Sequence, residues 1–389
     1  MTTGITTGII GGGIAGLASA IALAKIGKDV EVFEKASAFE EVGAGLQIGP
    51  NAVSALKVLG AYDAIEQQAF APEHILIRDG LTGKLLNRLH LGDSFEKMFK
   101  QPYRVIHRAD LLNGLLETAK TFSNINLKTS KSLTSLEINK NSNECTFSDD
   151  TTTNHEILVG ADGFRSIVRR HIINDGPPVY AGHSLFRSLI PIENVKNIQN
   201  ILDVNLWLYP RGHVVHYPVS NGTKINIVAA VEQNWEKRGW SLPTDSTQVL
   251  EHFKKAHDSL MAIISQPHEW LKWAAAGHPH ASTWHRNNAV LIGDAVHPTL
   301  PYMAQGAAMA IEDAVCLGSH LNNNREIKDY AQVRQTRTQK IVDTSTRLGK
   351  IYHMTNPSRI ARNLVIQNTS SISQFKRMSW LYSWRAPEL

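Results

Sequence analysis

Ile9-Ile10-Gly11-Gly12-Gly13-Ile14-Ala15-Gly16, followed by Leu17–Lys25, Gly27 and Asp29-Val30-Glu31-Val32-Phe33-Glu34, decides the fold. Ile9 and Ile10 open a short apolar strand. Leu17–Lys25 (LASAIALAK) is rich in strong helix formers and predicts a helix that Gly27 stops. Asp29–Phe33 (DVEVF) predicts a second strand. The G-x-G-x-x-G spacing, with Ala15 inside it, therefore stands in a complete βαβ unit, the context in which it binds a dinucleotide. Gly11 permits the tight turn, Gly13 lets the backbone approach a pyrophosphate, and Gly16 lets helix and strand pack closely. The helix start offers unpaired N–H groups to the phosphates. Glu34, about 20 residues past the glycines, is placed to accept hydrogen bonds from ribose hydroxyls and would repel a 2′-phosphate. The fingerprint alone does not separate FAD from NAD.

The chain has 389 residues, 42% of them hydrophobic and 19% charged. That length suits two domains, or one large domain with an insertion, and the apolar share supports a sizeable core. Disorder is excluded for most of the chain. Two cysteines, Cys145 and Cys316, exclude a disulfide scaffold and fit a reducing compartment. The net charge of +5 is scattered without basic blocks, so no nucleic-acid partner is expected. No apolar run reaches the roughly 18–20 residues of a membrane span. Met1–Thr7 lacks the basic flank and apolar core of a secretory signal, so a cytoplasmic protein is expected.

Two further strand ends carry motifs. Ile157-Leu158-Val159-Gly160-Ala161-Asp162-Gly163 is a buried strand ending in an Asp-Gly turn, before a basic helix start at Ile167–His171. Ala289-Val290-Leu291-Ile292-Gly293-Asp294 is a second, ending in a Gly-Asp turn. A helix with small residues at its start follows at Gly306-Ala307-Ala308. On the glycine fingerprint, Asp162-Gly163 and Gly293-Asp294, in this order and spacing, the chain resembles the single-component FAD-dependent aromatic hydroxylases. That family includes salicylate hydroxylase, 3-hydroxybenzoate 6-hydroxylase and 6-hydroxynicotinate 3-monooxygenase. The resemblance runs from Ile9 to the Trp380–Trp384 tail.

The resemblance implies an α/β fold. A Rossmann-like FAD-binding domain (1–180 and 276–350) would carry an inserted, mainly antiparallel substrate-binding sheet (181–275) and a C-terminal helical tail (351–389). It implies that FAD takes the single fingerprint, with NADH or NADPH and O2 as co-substrates. A flavin C4a-hydroperoxide would then hydroxylate a small phenolic, salicylate-like acid. Glu34 and Lys35 would flank the adenosine ribose, Arg108 would reach the diphosphate, and Asp294 would bind the ribityl or pyrophosphate side. Gly306 and Ala307 would face the pyrimidine edge of the flavin from a helix N-terminus. Asp162 either touches ligand or serves as turn chemistry. Gln47, read on a loop after the second strand, either touches flavin or substrate or is solvated.

The middle of the chain changes character. Leu185–Pro191, Val204–Leu208, Gly212–Val219 and Lys224–Val231 predict strands, Asn221-Gly222 a two-residue hairpin turn, and Gln248–Ser259 a helix. Along Gly212–Val219, His213, Val215 and Tyr217 share one face and His216 takes the other. His213 and Tyr217, about 13 Å apart along the strand, are the candidates for substrate contact and for accepting or relaying a phenol proton, as in related hydroxylases. Arg187 pairs with an acidic substrate or an NAD(P)H phosphate, or lies at the surface. Pro301-Tyr302 departs from the pairs implied for salicylate and 6-hydroxynicotinate enzymes (Pro-His) and for 3-hydroxybenzoate enzymes (Gln-Tyr).

The 17 histidines show no metal-ligand spacing, so no metal is expected. Two alternatives stand beside the phenolic-acid reading. One is a hydroxylase of a larger, more apolar ring, and the other a non-enzymatic flavin redox sensor. A homodimer is left open.

Overall fold

The computed structural model describes residues 6–40, 44–195, 197–235 and 239–389. Thr6–Ile10 lies near the middle of a six-stranded sheet. Across it the order is His285–Arg286, Ala289–Leu291, Ile157–Gly160, Thr6–Ile10, Asp29–Phe33, Ile125–Lys128. All neighbours are parallel except the edge strand His285–Arg286. The register sets Ile10 beside both Gly160 and Phe33, and Gly160 beside Leu291. The glycine fingerprint, Asp162-Gly163, Gly293-Asp294 and Glu34 therefore all emerge at the carboxyl ends of adjacent parallel strands, where open α/β sheets bind ligands. The helix Ile14–Lys25 is buried on nearly every side. It packs against the helix Gly306–Asn322 as well as the sheet, which explains its lack of a polar face.

The second sheet has eight strands. Their order is Ser241–Asp245, Glu269–Gly277, Val179–Pro191, Lys224–Glu232, Gly212–Val219, Val204–Tyr209, His74–Asp79, Leu85–His90. It is antiparallel throughout except where Val204–Tyr209 runs parallel to His74–Asp79. Three expectations are corrected here. The sheet reaches beyond 181–275, because His74–Asp79 and Leu85–His90, from the part assigned to FAD binding, complete its edge. The helix expected over Gln248–Ser259 is broken into Thr247–His252 and Asp258–Ile264, because extended His257 turns its ring to accept the Ser259 N–H and starts a new helix. The hairpin pairs Val219 with Lys224 across the four residues 220–223, since Ser220 joins Asn221 and Gly222 at positive φ.

The C-terminal part is helical over Ile327–Tyr352, Ser358–Gln367 and Ser371–Tyr382. Trp384 lies under the Arg334 and Arg337 guanidinium groups, and the Lys340 ammonium stands 4.2 Å from the Trp380 ring centroid. The tryptophan tail thus packs on the chain itself. Cys145 and Cys316 are both free and buried.

A buried ionic network joins these layers. Arg334 contacts Asp313 at 2.7 Å and Glu312 at 2.8 Å, and all three side chains are essentially buried. Asp313 also accepts the Gly293 N–H at 2.9 Å and meets His297 Nε2 at 2.5 Å. Glu312 takes Arg337 and the Asn51 amide, which also donates to Gln305. Burial pushes the Asp313 carboxyl up, but His297 and Arg334 outweigh it and hold the group at about 2.

The folded value lies below the unfolded value of about 3.9, so Asp313 stabilises the fold fully above that pH and less as pH falls toward 2. That contribution is about 2 kcal/mol. Asp313→Asn should cost about 3–5 kcal/mol at pH 7, because it strips Arg334 of a buried partner. Urea unfolding between pH 2 and 7 measures both effects, and the variant should lack the wild-type fall attributable to this carboxylate.

Candidate active site

A cavity of about 740 Å³ opens between the carboxyl ends of the parallel strands and one face of the eight-stranded sheet. Gly11 turns at φ 105°, and a Cβ there would lie 2.4 Å from the Ala161 carbonyl oxygen, so only glycine lets the two strand ends approach. Gly13 and Ala15 line the cavity. Gly16 does not: a Cβ on it would meet the Gly11 carbonyl at 1.8 Å, so its work is packing behind the loop. The helix Ile14–Lys25 begins at the cavity with no side-chain cap and no acid in its first turn. The 17-residue helix Gly306–Asn322 does the same from the other side, with Gly306 and Ala307 on the lining. Two helices thus aim unpaired N–H groups into one space, an environment for anionic ligand groups.

Glu34 accepts N–H bonds from Gly12 at 2.7 Å and Ala36 at 2.9 Å. It braces the fingerprint while facing the cavity, beside exposed Lys35. Asp162 lines the cavity too, but its oxygens accept from Ile167 N at 2.7 Å, Val168 N at 3.2 Å and the Ser166 hydroxyl. Burial raises its carboxyl, and those hydrogen bonds only partly offset the rise. The helix it starts carries Arg169, which donates to the Ala295 and Val296 carbonyls at 3.1 and 2.7 Å. The Asp-Gly motif therefore buttresses the Gly-Asp motif through Arg169, a residue the sequence reading did not single out.

Arg108 opens the helix Arg108–Lys120 and faces the cavity. Burial draws its guanidinium down, and Asp294, also on the lining, opposes that. Gln47 is not on a loop. It sits in the short strand Gly45–Ile48, paired with Arg104–His107, and accepts the Tyr103 hydroxyl at 2.5 Å. The strand is four residues long, too short for a periodic signal.

On the opposite wall His213, Val215 and Tyr217 all line the cavity, as the alternation required. His216 points away and accepts the Trp207 indole N–H at 3.1 Å. Burial pushes His213 down to about 3, and His183 adds to it. Burial raises the Tyr217 phenol, against Arg187 and a hydrogen bond with Gln47. His213 is thus a neutral imidazole and Tyr217 a neutral donor at pH 7. Arg187 is half-buried rather than out on the surface. It lines this cavity, its Nε finds no hydrogen-bond partner among the described residues, and burial and Arg108 pull it down only to about 10. Buried Tyr302 packs against His213, ring centroids 5.2 Å apart. Against the expectation of no metal-ligand grouping, the fold brings ligand atoms of His183, Glu232 and His353 within 4.8 Å of one another. Their separation in sequence hid that.

The chain matches the FAD binding domain model over residues 4–345. It is 34% identical to the 3-hydroxybenzoate 6-hydroxylase of Klebsiella oxytoca, over 97% of this chain and 96% of that one. Among solved structures it superposes on a salicylate hydroxylase substrate complex with a TM-score of 0.82 at 24% identity, over 99% and 96% of the two chains. It also superposes on Klebsiella pneumoniae HpxO complexed with FAD and uric acid, with a TM-score of 0.86 at 22% identity, over 97% of each. The last two likenesses are of fold.

A glycine cradle, two uncapped helix starts and a full-length match of this kind define an FAD-binding oxidoreductase. The chain belongs to the family of single-component FAD-dependent aromatic hydroxylases. The residues present fit the cofactor: the cradle has no room for a Cβ at Gly11, and the bare helix starts suit its phosphates and the edge of its ring.

Gly11→Ala should purify without flavin. The absorbance of released FAD per mole of folded protein measures this, and wild type should carry close to one.

Proposed function

We propose that this enzyme uses NADH or NADPH and O2 to hydroxylate a small phenolic aromatic acid. The observation that carries the reading is Arg187, a half-buried cation whose buried Nε finds no hydrogen-bond partner among the described residues, on the same cavity wall as His213 and Tyr217. A buried guanidinium seeks a carboxylate, which it binds in a charge-assisted, often bidentate way. His213 and Tyr217 offer a neutral acceptor and donor for a ring hydroxyl. Val215, Leu185 and Val228 supply the apolar wall of a ring slot. The relative named for 3-hydroxybenzoate agrees with this chemistry.

Bound FAD supplies the redox chemistry, held by Gly11, Gly13, Ala15, Glu34, Lys35, Arg108, Asp294, Gly306 and Ala307. Gln47 reaches the ring slot through its bond with Tyr217. The protein's own task is to clamp the acid, keep water out and remove the phenol proton, because a phenolate is the more electron-rich ring. The reading includes a cytoplasmic enzyme, supported by two buried free thiols. No helix among the described residues is long and apolar enough to cross a membrane. It also includes a homodimer, supported by exposed Ile360, Leu364, Val365 and Ile372 on the C-terminal helices. Light scattering on the purified protein tests that point.

Reduced-nicotinamide oxidation by the yellow protein should rise with hydroxybenzoates, more than with hydroxypyridines or large uncharged phenols, and release little peroxide. A response to large apolar phenols alone would overturn the small-acid reading. Arg187→Gln should raise KM for the acid by about 10–100-fold, the value of a lost hydrogen bond to a charged group, and leave FAD content unchanged. His213→Ala should slow product formation far more than it weakens flavin binding.

A further inference from the structure

His183, Glu232 and His353, whose ligand atoms lie within 4.8 Å of one another, stand outside the cavity lining. Three parts of the chain bring them together. His183 and Glu232 are directly opposed residues of the antiparallel strands Val179–Pro191 and Lys224–Glu232, so they share a face of the sheet. His353 ends the helix Ile327–Tyr352. Arg211, at φ 60°, ties that helix end to the strand: its N–H donates to the His353 carbonyl and its carbonyl accepts the Glu232 N–H, each at 2.9 Å. Arg362 donates to the Ile351 and Tyr352 carbonyls and pins the same helix end. His353 Nδ1 stands 3.4 Å from Glu232 Oε1, and His183 Nε2 stands 3.9 Å from the same oxygen. Neither gap is a hydrogen bond. The His353 side chain is 1% exposed, yet its Nδ1 has no hydrogen-bond partner among the described residues. A buried polar atom of that kind costs free energy until something satisfies it.

We propose that His183, Glu232 and His353 bind a divalent transition-metal ion of the zinc class, which clamps the C-terminal helix end to the eight-stranded sheet behind the active-site wall. Zinc bonds of about 2.0–2.2 Å put tetrahedral ligand atoms about 3.3–3.6 Å apart, so modest side-chain rotation closes this group on one ion. Two imidazole nitrogens and one carboxylate suit such an ion, whereas calcium and magnesium take oxygen ligands. Three protein ligands leave a coordination position for water. The surroundings support the ligands. His353 Nε2 lies 2.8 Å from His213 Nδ1, and a metal-bound histidine is held by its second nitrogen in this way. With the ion on Nδ1, His353 Nε2 carries the proton and donates to His213 Nδ1, so one hydrogen bond separates the ion's ligand from a cavity-lining side chain. The Tyr302 ring stands edge-on to His183, His213 and His353, with centroids 5.8, 5.2 and 5.7 Å away, and walls the group with apolar surface. Arg211 Nε stands 3.5 Å from Glu232 Oε2, the other carboxylate oxygen, so Oε1 is left to the ion. The site stands apart from the hydroxylation proposed above, and its test needs no turnover.

The test uses the FAD-loaded enzyme after dialysis against a chelator. Titration with zinc in a calorimeter should show one saturable site per chain, and excess magnesium should not displace the ion. Zinc should also raise the thermal unfolding midpoint by a few degrees, because it binds only the folded chain. Cobalt in its place should give the visible absorption of a four-coordinate nitrogen–oxygen site, to the red of the flavin. His183→Gln, Glu232→Gln and His353→Gln should keep FAD content, lose the rise in midpoint and weaken zinc binding by about 100-fold or more, since losing even a group that only supports a ligand costs about 10–100-fold. His213→Ala, which removes the partner of His353 Nε2, should weaken it by about 10-fold. A wild type without a saturable zinc site would overturn the proposal, as would stoichiometric binding that survives in all three ligand variants. If those variants lose FAD and so fail to fold, the wild-type cobalt spectrum decides: the pale spectrum of six oxygen ligands would sink the site.

Discussion

The pairing of Arg334 with Glu312 and Asp313 inside the protein is the constraint on which the cofactor side of the site depends. The helix Gly306–Asn322 must leave its first turn bare to serve an anionic ligand, so it cannot be anchored there by a capping side chain. Its anchor lies in its second turn. Glu312 reaches Arg334, Arg337 and Asn51, while Asp313 reaches Arg334, His297 and the Gly293 N–H. One buried arginine therefore sets the helix start, the Gly293-Asp294 turn and the helix Pro50–Leu59 relative to one another. A buried ion pair is a weak source of net stability but a strong source of unique geometry, since removing one partner strands the other. The site needs the geometry.

The parts of the site that follow a local rule were legible in the sequence. The glycine fingerprint, the strand-end motifs and the alternation that put His213, Val215 and Tyr217 on one face each depend on a handful of consecutive residues. Parallel pairing then brings the strand ends together with no further information. What stayed hidden depends on partners far away in the chain. Arg187 reads equally as a partner for an acidic group or as a surface residue, and only the folded sheet puts it on the cavity lining. Arg334 and His353 sit on or beside a long helix whose polar residues look solvent-facing. His74–Asp79 joins the sheet by parallel pairing with Val204–Tyr209, 125 or more residues on, and no local pattern announces that. Gln47 was misplaced because its strand is only four residues long. The helix over Gln248–Ser259 failed on one side chain, the His257 ring that caps the next turn.

The electrostatics of the cavity tie the two halves of the site together. Arg108, Arg187 and two uncapped helix starts bring positive charge to its interior, and Glu34, Glu40, Asp162 and Asp294 are the carboxylates on its lining. Such a field stabilises anions: phosphates, a substrate carboxylate and a phenolate. It penalises a second proton on an imidazole, and burial without a paired carboxylate in direct contact penalises it further. At His213 burial is the larger cause and His183 adds to it, so the ring is held well below the usual imidazole range. The same positive interior that suits a cofactor's phosphates thus also suits the carboxylate of an acidic ligand on the wall that carries Arg187.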